Sequence, residues 1–308
     1  MQPACKKSPD GKPWPVCSFF GIYDGHGGSQ CADFLRDNLH QYVVKEESFP
    51  DNPKEAIKVG FAKAEEVWIR DHAVGVVDGE QAIVNRSGSC AIVVVIVEEM
   101  CYVANVGDSR AVLSGDEGSR VFPLSRDHKP TDEYEERRVI EGGGKIYSRQ
   151  MPASTRNQGA SGPQADSPVN SQSPAYGPAR IFPGRLSVSR SFGDVEAKLE
   201  KFGGNPNVLI ATPEIKAFKI KNEHDFIVLG CDGIFDRLSN RESVQLMWNA
   251  VSDIDKYYPQ TNNIHQLTGL GVDYLLKNSL LRRTLDNVTG VMIAFKNLKH
   301  AAFDRERR

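Results

Sequence analysis

Long apolar runs are missing from this sequence. The longest, such as Cys90–Val97, fall far short of the roughly 20 residues that a bilayer-spanning helix requires. An excess of one charge is missing too. Lys and Arg number 38 against 40 Asp and Glu, a formal net charge of -2, which argues against nucleic acid or an anionic membrane as a bulk electrostatic partner. Paired cysteine spacings are absent: Cys5, Cys17, Cys31, Cys90, Cys101 and Cys231 are scattered, mostly in apolar stretches, and read as reduced thiols. Met1–Pro15 holds charge, Pro and Gly in place of an apolar leader core. These absences predict an intracellular, soluble protein, cytoplasmic or nuclear, with no nucleic-acid or membrane partner and monomeric by default.

What is present fits a folded chain. Of 308 residues, 40% are hydrophobic and 25% charged. Short β-branched runs predict strands at Cys17–Tyr23, Cys90–Val97, Cys101–Val106, Arg110–Ser114, Phe226–Cys231 and Thr289–Phe295. Several are apolar throughout, as strands covered on both faces are. Helical spacing of Cys31, Phe34, Leu35, Leu39, Tyr42 and Val43 predicts a helix from Gly28 to Val44. Asn52-Pro53 opens a second helix, with Glu55 completing the cap, and Ser239-Asn240-Arg241-Glu242 is a capping box opening another. Helices are also expected over Leu270–Leu281 and Thr131–Glu141, the latter ended by Gly142, Gly143 and Gly144. Hairpin strands with helices inserted between them predict an α+β fold.

Composition shifts abruptly between Arg149 and Gly184, where Pro, Ser, Gly, Gln, Asn and Ala dominate and little can be buried. Strand-like sequence on both sides makes it a surface insertion, not a linker. Its Ser167-Pro168 and Ser173-Pro174 pairs are more simply loop composition than modification sites.

Chemistry concentrates in aspartates at strand ends. Phe19–Tyr23 runs into Asp24-Gly25-His26-Gly27-Gly28, and Phe226–Cys231 into Asp232-Gly233. Tyr102–Val106 runs into Gly107-Asp108-Ser109, and Asp286-Asn287 precedes another apolar run. One Asp-Gly after a strand is ordinarily a turn; the repetition is what carries weight. Converging carboxylates repel one another unless cations neutralise them. Oxygen donors without clustered His or Cys select Mg²⁺ or Mn²⁺ over zinc. Two such ions can bind a bridging water, lower its pKa and clamp a phosphoryl group. His26, two residues past Asp24, is placed to act as a general acid.

The chain resembles the metal-dependent serine/threonine protein phosphatases of type 2C. The resemblance rests on an ordered series: Phe19–Gly28, Ser87–Ala91, Val103–Arg110, Asp127–Pro130, Leu186–Asp194, Cys231–Asp236 and Asp286–Thr289. It implies a catalytic domain over residues 17–298, after an irregular segment 1–16 and before a charged tail 299–308. Within that domain it implies two central antiparallel sheets flanked on both sides by helices, a four-layer αββα sandwich. Its flap would contain the insertion at about 149–184. It further implies hydrolysis of phosphoserine and phosphothreonine in protein substrates on two Mg²⁺ or Mn²⁺ ions. Asp24 would bridge the metals, the Gly25 carbonyl would bind one, and Asp232 and Asp286 would bind the other. Asp108 and Asp236 would help hold a third, weaker ion, and His26 would be the general acid.

The resemblance breaks down upstream. Members have a first strand whose Arg holds substrate phosphate and a nearby acid that completes the second metal's shell. Here no Arg precedes Asp24, and the only upstream carboxylate is Asp10. Lys6, Lys7 and Lys12 lack the bidentate fork of Arg. The expectation is that the family's first strand is missing and that activity is reduced, with a catalytically impaired regulatory or scaffold protein as the alternative. Retention of the carboxylates opposes that alternative. Cys231 and Arg237 have the spacing of a cysteine-dependent phosphatase, but Asp232 and Asp236 in the same loop would repel a phosphate dianion. An aspartate nucleophile would need a second aspartate two residues away, where Gly230 and Ile234 stand.

Overall fold

The apolar runs become the two sheets of the fold, and their ends set where the acidic residues fall. The structure is a computed structural model describing residues 14–149 and 177–303. Strand β1 (Cys17–His26) leads into α1 (Gln30–Val44) and α2 (Pro53–Trp68), whose end widens into a π-turn at Ile69–Ala73. A hairpin, β2 (Val74–Val77) and β3 (Glu80–Ile83), precedes β4 (Gly88–Val97), β5 (Met100–Val106), β6 (Arg110–Gly115) and β7 (Arg120–Pro123). Then come α3 (Glu133–Glu141), β8 (Lys145–Tyr147), β9 (Arg180–Phe182), β10 (Phe192–Gly193) and α4 (Val195–Lys198). The chain continues through β11 (Glu214–Lys219), β12 (His224–Gly230), α5 (Asp232–Phe235), α6 (Asn240–Tyr257), α7 (Ile264–Leu281), β13 (Gly290–Ala294) and α8 (Lys296–Phe303).

The described residues divide into two compact units. One comprises those up to Asp127, Arg190–Asp194, and those from Ala211 onward. It holds an antiparallel sheet in the order β1-β4-β5-β11, with β10 against the start of β4, and a second sheet in the order β13-β12-β6-β7. Ile22, Ile92, Val94, Val103, Leu113, Ile227 and Leu229 fill the space between them. Each such side chain contributes about 1.5–3 kcal/mol by leaving water. Helices α1 and α2 pack on the first sheet, and α6, α7 and α8 cover the second through Met247, Val251, Leu267 and Leu298. This is the expected four-layer sandwich.

β4 shows why its sequence is apolar throughout: it lies between β1 and β5, and Gly88–Val95 is buried. Glu98 closes the β4–β5 hairpin with a left-handed φ of 54°. The Ser239 capping box forms in full, while Asn52 accepts from Glu55 N. Some bounds differ from expectation. α3 starts at Glu133, because the Asp132 side chain takes the cap by accepting from Tyr134 N and Glu135 N. α7 begins at Ile264, capped by Asn263. α8 runs past residue 298, where Leu298 is buried, so residues 299–303 continue a helix.

The second unit, His128–Ser189 with Val195–Ile210, has its own small core of Val139, Ile181, Ala197, Val208 and Leu209. Buried Glu135 is held by Arg138 Nη2 at 2.9 Å and by Ser189 Oγ, which donates to it at 2.6 Å. Most of the compositionally biased stretch, and both Ser-Pro pairs, lie outside the described residues. Its flanks, however, are paired: β8 and β9 form an antiparallel ladder, and Gly177 N donates to Arg149 O at 2.8 Å. The last residues of the stretch therefore belong to a strand, not to irregular chain.

Candidate metal centre

Asp24 sits near the end of β1, opposite Cys90 on β4, and Asp232 opens α5 just after β12. The two strands belong to different sheets, so the centre forms where the sheet ends meet. A carboxylate oxygen of Asp24, one of Asp232 and the Cys231 Sγ lie within 4.8 Å of one another. Cys231 is a pin in this arrangement. Its thiol donates to Asn287 O at 3.1 Å and accepts from Thr289 N at 3.3 Å, which ties the segment carrying Asp286 to the end of β12. A side chain at Gly233 would collide with the Asn287 carbonyl and stand 3.3 Å from Asp286 Cβ, so only glycine lets that segment approach.

Electrostatics report the same convergence. Burial, then the charges of Asp232, Asp108 and Asp286, push the Asp24 carboxyl up to about 7, with His26 opposing. Asp108 is buried in the turn from β5 to β6 and accepts from Cys90 Sγ at 3.5 Å. Asp286 is exposed and accepts from Asn287 N at 2.8 Å. Asp236 lies one turn beyond Asp232, its N donating to Asp232 O at 2.8 Å. Its charge, with that of Asp108, acts on Arg110. Of the sequence-predicted aspartates, Asp24 and Asp232 bring their oxygens together, Asp108 and Asp286 act on Asp24 through their charge, and Asp236 follows Asp232 by one turn.

This donor set fits divalent cations. Carboxylates forced together with a partly buried Asp24 favour a hard cation that would offset their repulsion. The thiol is a soft donor poorly matched to a hard cation, and burial, then the charges of Asp24 and Asp232, push it up to about 11. A thiol so raised and so engaged also disfavours a Cys231 nucleophile. Buried Asp225, at the start of β12, shows the contrast. Ser114 Oγ, Gly118 N and Asn297 Nδ2 donate to it, which makes it a structural anchor.

Two groups near the centre end motif runs of the resemblance, Val103–Arg110 and Leu186–Asp194, but the sequence reading assigns them no role. Asp194 Oδ2 lies 2.7 Å from His26 Nε2. Burial lowers the His26 pKa, but the Asp194 hydrogen bond and charge, then Asp24 and Asp108, outweigh it and leave it raised. Arg110 donates to both Asp127 oxygens, at 2.9 and 2.7 Å, and to Asn240 Oδ1 at 2.9 Å. Its neighbours in sequence give no hint of Asn240, 130 positions away.

A family model described as Protein phosphatase 2C matches residues 6–264. The chain belongs to that family. A probable protein phosphatase 2C of Caenorhabditis elegans is 35% identical over 235 residues, covering 76% of this chain and 54% of the relative. Probable protein phosphatase 2C 27 of Arabidopsis thaliana is 30% identical over 278 residues, covering 90% and 59%. The chain thus spans a little over half the length of these curated relatives. Among solved structures, serine-threonine phosphatase 2C from Toxoplasma gondii superposes with a TM-score of 0.64 at 17% identity, covering 91% of this chain and 85% of that one. A sex-determining protein of C. elegans gives 0.63 at 22%, covering 90% and 56%. At such identities these two report the shared fold. No helix among the described residues is long and apolar enough to cross a membrane.

Proposed function

We propose that this chain is a metal-dependent protein phosphatase that hydrolyses phosphoserine and phosphothreonine in protein substrates. The observation that carries the reading is the meeting of Asp24 and Asp232 from separate sheets, at a cost: burial first, then the charges of Asp232, Asp108 and Asp286, push Asp24 up to about 7. A scaffold without a cation has no physical need for that cost. Family membership supplies the reaction class.

Asp24 would be shared by two Mg²⁺ or Mn²⁺ ions, with the Gly25 carbonyl on one and Asp232 and Asp286 on the other. Asp108 and Asp236 would contribute to a third, weaker site. When bound, such cations lower the pKa of a shared water and neutralise charge on the transferring phosphoryl group. The side chains do the rest. Asp24 is carried near the end of β1 and Asp232 by the first residue of α5, so the backbone fixes both carboxylates. His26 holds a proton beside them for the departing alkoxide, whose own basicity makes unassisted departure slow.

Hydrolysis of a phosphothreonine peptide with Mn²⁺, with and without a chelator, tests this reading. Release of phosphate that the chelator abolishes is expected. Full release after chelation, or none at saturating Mn²⁺, would leave the scaffold reading in its place.

A further inference from the structure

His26 and Asp194 differ in how they meet solvent. The His26 side chain keeps 33% of its surface open, while that of Asp194 keeps 9%. An ionised carboxylate only accepts, so its contact with Nε2 at 2.7 Å requires the proton to sit there, and Nδ1 is the ring nitrogen left for another partner. Asp194 cannot reach a substrate itself. It can fix the ring that does.

The surroundings hold Asp194 in one pose. Ser191 Oγ donates to the same Oδ2 at 2.6 Å, and Asp194 N donates to Ser87 O at 3.3 Å. Its backbone is left-handed, φ 51°, a region uncommon outside glycine but one that Asp enters more readily than most residues. The preceding Gly193 N donates to Glu65 Oε2 on α2 at 2.9 Å, and the Phe192 ring packs 5.3 Å from that of Phe61. Opposite His26 in the β1–β4 register is Gly88. A Cβ there would stand 2.6 Å from His26 Nε2 and collide with the Asp194 carboxylate, so the space is shaped around this pair.

We infer that Asp194 is a positioning residue for the reaction, fixing the tautomer and ring orientation of His26 so that Nδ1 carries the proton given to the leaving group. The inference rests on the proposed reading of His26 as general acid. In the step, a water oxygen bonds to phosphorus while the bond from phosphorus to the Ser or Thr oxygen breaks. The Nδ1 proton passes to that oxygen, Nε2–H stays on Asp194, and the proton lost by the water goes to solvent.

The test compares His26→Ala and Asp194→Asn, with Mn²⁺, on a phosphothreonine peptide and on p-nitrophenyl phosphate. The nitrophenolate is a good leaving group and needs little protonation. Both variants are expected to lose kcat on the peptide by about 100-fold, the lower end of what general acid catalysis supplies, with KM little changed. On p-nitrophenyl phosphate both should stay within about threefold of the parent chain. If His26→Ala loses peptide turnover and Asp194→Asn does not, the inference fails and the general-acid reading stands. If Asp194→Asn loses both substrates equally, its role is structural and the inference fails. If His26→Ala keeps peptide turnover, the general-acid reading fails and the inference with it. Should Asp194→Asn not fold, the ¹⁵N spectrum of His26 in the Mg²⁺-treated parent chain decides. A proton on Nε2 supports the inference, and an unprotonated Nε2 overturns it.

Discussion

The electrostatic burden on Asp24 has a measurable sign. In the unfolded chain its carboxyl titrates near the ordinary value of about 3.9, whereas folding without metal raises it to about 7. The folded state therefore binds this proton more tightly. The stabilisation that follows is complete at low pH and is lost as pH rises from about 4 through 7, at up to ~1.4 kcal/mol per pH unit. Asp24→Asn removes the titration, so in chelator at pH 7.5 the variant is expected to melt above the parent chain and with a flatter pH dependence. Thermal denaturation across pH 5–8 checks this; a lower melting point for Asp24→Asn at pH 7.5 would contradict it. Asp24 and Asp232 were legible in the sequence because each follows an apolar strand and precedes a glycine. Asp194 was not. Its sequence neighbours carry no periodic signal, and its partner His26 is 168 positions away.

Helix α6 owes its start to reciprocal bonds between Ser239 and Glu242: Glu242 N donates to Ser239 Oγ at 3.2 Å and Ser239 N to Glu242 Oε2 at 2.8 Å. Arg282 Nη2 adds a bond to Glu242 at 2.7 Å, and with the Ser239 contacts it holds this carboxyl down at about 2. Ser239→Ala is expected to cost about 1 kcal/mol, read as a lower midpoint in urea with an unchanged slope. No change in the midpoint would mean the cap is idle. This box could be read from four residues, as could the central strands β4 and β12, whose burial leaves their sequences apolar. Short or exposed strands were harder. β2 and β3 form a hairpin whose residues are mostly half-buried or exposed, and β11 alternates as Glu214-Ile215-Lys216-Ala217-Phe218-Lys219. A search for apolar runs passes over such edge strands.

The two sheets face each other across one apolar layer, and that closure sets Asp24 beside Asp232. Leu229 lies in this layer, wholly buried, on the strand that ends just before Asp232. Leu229→Ala should destabilise the fold by about 2–5 kcal/mol, depending on how far the layer collapses into the cavity. Chemical denaturation measures the loss, and one below about 1 kcal/mol would show that the sandwich does not rest on this layer. Pattern alone located both strand ends; that they meet follows from the packing of the β1-β4-β5-β11 sheet on the β13-β12-β6-β7 sheet across this layer. The central claim is that these meeting ends form a divalent-cation centre, and Mn²⁺ uptake followed by electron paramagnetic resonance tests it most directly. The parent chain is expected to remove Mn²⁺ from the free-ion signal, and a chain carrying both Asp24→Asn and Asp232→Asn to leave that signal unchanged while keeping its fold. Undiminished Mn²⁺ uptake by the folded double variant would contradict the account.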